Sequence, residues 1–189
     1  MTATTHTADS RSLAFLDGTA RIIVSRTEGE RDVSVIEIAM PAGAMPPPHV
    51  HDEAESVYVL EGEVTFHVGH ETIRARASDE VELPRGVAHT YRVESRQGAR
   101  WLSVTSPGRF EDFVRAVARP SETGTPALAT LAELVAFTAA AARNGIEIVG
   151  APGSLPAGPP RAAELAAPAS APRFRLRVSS LAAAAPAAA

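Results

Sequence analysis

Apolar and polar residues alternate with a period of two through the first half of the chain. The stretches "RIIVS" at 21–25, "DVSVIEIAM" at 32–40, "SVYVLEGEVTFHV" at 56–68, "TIRARA" at 72–77 and "ARWLSVT" at 99–105 are rich in β-branched residues. That period and composition belong to half-buried strands. Turn residues punctuate them at "EGE" 28–30, "PAG" 41–43, Gly62, "VGH" 68–70 and "PRG" 84–86. Many short strands at close spacing predict an antiparallel sandwich or barrel rather than alternating βαβ units.

After residue 107 the period changes. In "GRFEDFVRAVA" the apolar residues Phe110, Phe113, Val114 and Val117 recur at i, i+3, i+4 and i+7, which predicts a helix that Pro120 ends. A second helix is expected from Thr125 as N-cap, with Pro126 at its first position, through "ALATLAELVAFTAAAAR" to a stop at Asn144-Gly145. Beyond Gly150 the chain turns to Ala and Pro, with too little bulky apolar surface to offset the entropy of ordering. The expected organisation is a flexible N-terminus (1–14), a barrel (15–107), a helical extension (108–149) and a low-complexity, disordered tail (150–189).

Composition narrows the chemistry. A chain of 189 residues suits one domain. A net charge of −4 leaves no surplus of cations for a phosphate backbone, so nucleic acid is not an expected partner. With no cysteine, any metal must be held by His and carboxylates. The start "MTATTHTADSRSLAFL" lacks a basic-then-apolar leader pattern, and no stretch reaches the roughly 18–20 apolar residues of a membrane span. A soluble, cytoplasmic protein is the expectation.

The chemistry concentrates in "HVHDEAESVYVLEG" at 49–62. In a strand, His49 and His51 project from one face with Val50 opposite, a bidentate clamp for a cation. Two neutral imidazoles leave the ion's charge uncompensated, and Glu55 is the carboxylate whose face continues through Val57 and Val59 into the interior. A third imidazole arrives in "SDEVELPRGVAHTYRV", where Pro84 and Gly86 make a tight turn that delivers His89 into a strand. Tyr91 and Val93 lie on its face. Three imidazoles and a carboxylate suit divalent Fe, Mn, Co, Ni, Cu or Zn and leave open positions on a five- or six-coordinate ion.

These residues resemble the cupins. The family's first motif is Gly, five residues, His-x-His, three or four residues, Glu, six residues, Gly; Gly43, His49, His51, Glu55 and Gly62 match every spacing. Its second motif is matched by Pro84, Gly86 and His89, while Ser78 stands for the first glycine and Val93 for the final asparagine. The resemblance covers roughly residues 15–107 and points to the small single-domain cupins labelled quercetin dioxygenase-like. It implies a mostly β fold: a single double-stranded β-helix, or jelly-roll, barrel, here with C-terminal helices. It also implies one divalent transition metal on His49, His51, Glu55 and His89, and dioxygenase chemistry on a small enol or phenolic molecule with Glu55 as catalytic base.

Rival readings of the same ligand set are a Lewis-acid isomerase, cyclase or lyase, and a module that binds a small molecule without turnover. Phe66, Tyr91, Val93 and Trp101 are the candidate pocket residues, although barrel aromatics also serve as plain core. His67 and His70 border a hairpin and are expected at the surface. Asp52, Glu53, Asp79 and Glu80 read as solvated turn acids. Small cupins commonly dimerise, and an antiparallel barrel of this size offers strand edges and an apolar outer face, so a homodimer is expected.

Overall fold

The computed structural model describes residues 11–27, 32–120 and 130–156. Among the described residues twelve strands form two antiparallel sheets. The seven-stranded sheet runs β11 (Arg119–Pro120), β1 (Leu13–Phe15), β2 (Gly18–Val24), β3 (Ser34–Met40), β10 (Ala99–Ser106), β5 (Ala54–Glu61) and β8 (Glu80–Leu83). The five-stranded sheet runs β12 (Ile146–Ile148), β4 (His49–His51), β9 (His89–Val93), β6 (Glu63–Val68) and β7 (Glu71–Arg76). Sequence neighbours are often not sheet neighbours: β4 and β5 are consecutive in the chain yet lie in opposite sheets. This is the expected jelly-roll barrel.

The period-two pattern becomes the core. Ile36, Ile38 and Met40 of β3, Trp101 of β10, Val57 and Val59 of β5, and Val64, Phe66 and Val68 of β6 all point inward and form one cluster. A one-residue slip in any of these strands would turn its apolar set to solvent, which is why the alternation specifies register so firmly. Gly62, between β5 and β6, has φ +81, and a Cβ there would meet Gly98 O at 2.6 Å and the Ala99 Cα at 2.9 Å. Only glycine satisfies both the backbone conformation and the close approach.

Two helices follow the barrel, α1 (Phe110–Val117) and α2 (Leu131–Arg143). The first matches the expected periodic stretch. The second starts later than Thr125, which itself lies outside the described residues. Its N-cap is Thr130, whose side chain accepts a hydrogen bond from Glu133 N while the Glu133 carboxylate accepts from Thr130 N. That reciprocal pair satisfies two end N–H groups. The stop at Asn144 and Gly145 is as expected, with Gly145 at φ +75.

Two further differences concern the ends. Leu13 and Ala14, expected in a flexible N-terminus, pair with β2 and β11. Residues 150–156, expected in the tail, lie against the barrel, with Gly153 N donating to Met45 O at 3.2 Å. The rest of the tail lies outside the described residues.

Candidate metal centre

β4 is three residues long and carries both His49 and His51; β9 opens with His89, which pairs directly with His49. The three rings therefore meet, with centroids 4.4 Å apart for His49 and His89, 4.8 Å for His51 and His89, and 5.8 Å for His49 and His51. One ring nitrogen from each lies within 4.8 Å of the other two, an arrangement that can hold a metal ion. His49 Nδ1 sits 3.1 Å from Pro47 O, and His89 Nδ1 sits 2.9 Å from Val87 O. Each Nδ1 donates to its carbonyl, which fixes the tautomer and leaves Nε2 with a free lone pair.

Glu55 reaches the same point from the opposite sheet. Its Oε2 lies 3.3 Å from His51 Nε2 and 3.9 Å from His89 Nε2. Its Oε1 accepts a hydrogen bond from Ser103 Oγ at 2.8 Å, across the β5–β10 pair. Three imidazoles on one sheet and a carboxylate on the other thus converge at the barrel axis.

The electrostatics suit a cation. Burial, reinforced by the neighbouring imidazoles, pulls His49 down to about 3 and His89 down to about 4, so both are neutral donors at pH 7. Burial also works against charge on His51, but the hydrogen bond and charge of Glu55 outweigh it and the ring titrates above its usual value. For Glu55, burial favours the neutral acid, yet the contacts with His51, His89 and Ser103 prevail and hold the carboxylate at about 2. The His89 Nε2 is buried and has no hydrogen-bond partner. An orphaned imidazole lone pair beside two further imidazoles and a carboxylate is the donor set a borderline divalent ion takes, so these residues fit a bound metal.

A cavity of about 60 Å³ opens beside the cluster, with His49, Glu55 and His89 in its wall. Phe66, Tyr91 and Trp101 line it; Tyr91 and Trp101 pack edge to face at 4.9 Å. Val93 is absent from the lining and sits in the core opposite Val64. His67 is half-buried on the β6–β7 hairpin, where its Nδ1 lies 3.3 Å from Thr72 Oγ1, and His70 is exposed.

Other residues at or near the site were not singled out from the sequence. Glu53, expected to be solvated, is 3% exposed, and its carboxylate accepts a hydrogen bond from Phe110 N at the start of α1. Burial pushes it up to about 7. The turn at 52–53 points Asp52 outward and Glu53 inward, a distinction that needs α1 in place. Ser103 is a polar residue at an inward position of "ARWLSVT", a signal present in the alternation itself. Phe110, Phe113, Phe137, Ile146 and Ile148 also line the cavity, all from the C-terminal extension.

Two antiparallel sheets closed around three imidazoles define a β-barrel with a metal-competent pocket. Residues 36–105 match the family model of the Cupin domain. The chain is 28% identical over 103 residues to quercetin 2,3-dioxygenase of Bacillus subtilis (strain 168), covering 54% of this chain. The aligned part is 30% of that enzyme, so the chain spans under a third of the length of the curated relative it matches. Among solved structures, an RmlC-like cupin from Shewanella frigidimarina is 21% identical with a TM-score of 0.49, covering 60% of this chain and 97% of that one. The polyketide cyclase RemF from Streptomyces resistomycificus is 22% identical with a TM-score of 0.46, covering 56% and 79% respectively. Among the described residues no helix is long and apolar enough to cross a membrane.

Proposed function

We propose that this chain is a metal-dependent oxygenase acting on a small enol or phenol-like molecule. His49, His51, His89 and Glu55 would hold one divalent transition ion, drawn from Fe, Mn, Ni, Co, Cu or Zn. The observation that carries the metal is His89 Nε2, buried without a hydrogen-bond partner and aimed at the other donors. The similarity to quercetin 2,3-dioxygenase supports the oxygenase class. A bound ion would supply Lewis acidity and open positions for the substrate and dioxygen.

The chain's own groups do the rest. Ser103 anchors Oε1 of Glu55, while Oε2 is turned toward His51 and His89. Burial raises the basicity of this carboxylate and the contacts with His51, His89 and Ser103 hold it down, so release from the two imidazoles would make it the base that takes the substrate's O–H proton. Tyr91 stays protonated, because burial lifts its phenol far above its usual range. Phe66, Tyr91 and Trp101 present apolar surface to the substrate and keep water from the reacting carbons. The chain works in the cytoplasm as a homodimer on this reading.

The test is metal analysis of protein purified without chelator, followed by oxygen uptake with β-diketones, catechols and flavonols. Glu55→Gln keeps size and one acceptor oxygen but removes charge and basicity. It is expected to lower turnover by about 10²-fold or more while retaining part of the metal. Wild-type turnover by fully loaded Glu55→Gln, or conversion of substrate with no oxygen consumed, would overturn the oxygenase reading.

A further inference from the structure

Part of the wall of the cavity beside the metal centre comes from outside the stretch that matches the Cupin-domain model. That stretch ends at 105, whereas Phe110 and Phe113 of α1, Phe137 of α2 and Ile146 and Ile148 of β12 all line the cavity. They are fixed in place. β12 pairs with the ligand strand itself, Ile146 opposite His51 and Ile148 opposite His49. Phe137 is 8% exposed and packs edge to face on Phe113 at 5.4 Å, which in turn packs on Phe15 of β1 at 6.1 Å. The roof is therefore a continuous apolar layer tied to the metal ligands by backbone hydrogen bonds.

The space beneath it is small. A cavity of about 60 Å³ is less than half the size of an apolar protein cavity of roughly 150 Å³ that takes up benzene. A compact molecule matches this space better than a fused-ring flavonol or an aromatic ring does.

We propose that Phe137 is the residue that sets ligand size at the metal centre, and that the site takes compact, acyclic enolisable carbonyl compounds rather than aromatic ones. The inference rests on the metal-centre reading and narrows its substrate class. Phe137 is the chosen position because it belongs to the roof and not to the ligand shell: it hangs from α2, and shortening it enlarges the cavity without touching β4, β5 or β9. Its neighbours Ile146 and Ile148 are bound up with the pairing of β4, so they cannot be altered as cleanly.

The experiment uses two chelators with the same metal-binding head, acetohydroxamate with a methyl group and benzohydroxamate with a phenyl ring. Each is titrated calorimetrically into the full chain loaded with Co²⁺. The wild type is expected to bind acetohydroxamate at least about tenfold more tightly than benzohydroxamate, a discrimination within what pocket size can deliver. Phe137→Ala should gain at least about tenfold for benzohydroxamate while acetohydroxamate changes by less than about threefold. Phe137→Leu, which keeps an apolar side chain against Phe113, should gain less; it decides the matter if the alanine variant fails to fold. Equal affinity of the wild type for the two chelators, or an unchanged ratio in the Phe137 variants, would overturn the size inference alone. A chain that binds no Co²⁺, or a Co²⁺ form that binds neither chelator, would overturn the metal-centre reading and this inference with it.

Discussion

Ser78 shows how much one residue can carry. It occupies the place of the first glycine in the second cupin motif and adopts φ +77, the left-handed region that costs a residue with a Cβ about 1–2 kcal/mol. Its N–H donates to Val59 O at 2.9 Å, so the turn is held despite the strain. Ser78→Gly relieves the strain and adds some unfolded-state entropy, for a net gain of about 0.5–1 kcal/mol. The expected result is a melting temperature higher by a few degrees with metal content unchanged; a fall in melting temperature would show that the serine hydroxyl matters more than the backbone. The ligand residues separate by the same logic. His49→Ala, His51→Ala and His89→Ala each remove a donor at the converging point, whereas His67→Ala and His70→Ala act on the β6–β7 hairpin. Metal analysis is expected to show a sharp drop for the first three and none for the last two.

Among the elements, β12 has the largest consequence for its length. The ligand strand β4 makes three residue pairs with β12 but only one with β9. Val149 N also donates to Pro48 O at 2.9 Å, just before the two histidines. Strand β4 is thus held in register chiefly by the extension. A chain ending at Asn144 loses that support, and its metal affinity is expected to fall by about 10–100-fold, the effect of removing groups that orient metal ligands. A chain ending at Pro156 retains every one of these contacts and is expected to keep full metal content. Equal metal retention by the two truncations would mean that the β4–β9 pairing and the Nδ1 contacts position the histidines unaided.

For the molecule as a whole, the outward face of the seven-stranded sheet matters most. Val35, Tyr58, Leu102 and Val104 are half-buried there, and register sets Leu102 beside Tyr58 and Val104 beside Val35. Arg21 with Glu37 and Arg100 with Glu61 lie among and beside these residues, Glu37 directly across from Leu102. Apolar side chains interleaved with charged pairs make a surface that a second copy can cover. Light scattering is expected to return twice the 19.7 kDa chain mass at micromolar concentration, and Leu102→Glu, placed across from Glu37, to return the monomer. A wild-type monomer mass would remove the dimer.

The sequence by itself determined the barrel, because strand periodicity decides which side chains point inward and turn residues mark where each strand ends. It also determined the meeting of His49, His51, Glu55 and His89, since two of them share a strand face and the motif spacings place the others. What it left open needed distant segments brought together. Thr130 and Glu133 spell a capping box, but Thr125-Pro126 offered a competing start, and local signals alone do not rank the two. Glu53 reads as a solvated turn acid until α1 arrives with an unpaired N–H for it to accept. Val93 shares the parity of Tyr91, yet Tyr91 lines the cavity and Val93 sits in the core. Most of all, the roof over the metal centre is assembled from Phe110, Phe113, Phe137, Ile146 and Ile148, and no pattern in "FEDFVRAV" or "GIEIV" announces it. Only tertiary structure decided that, because burial of the open barrel mouth is a property of the packed molecule and not of any one segment.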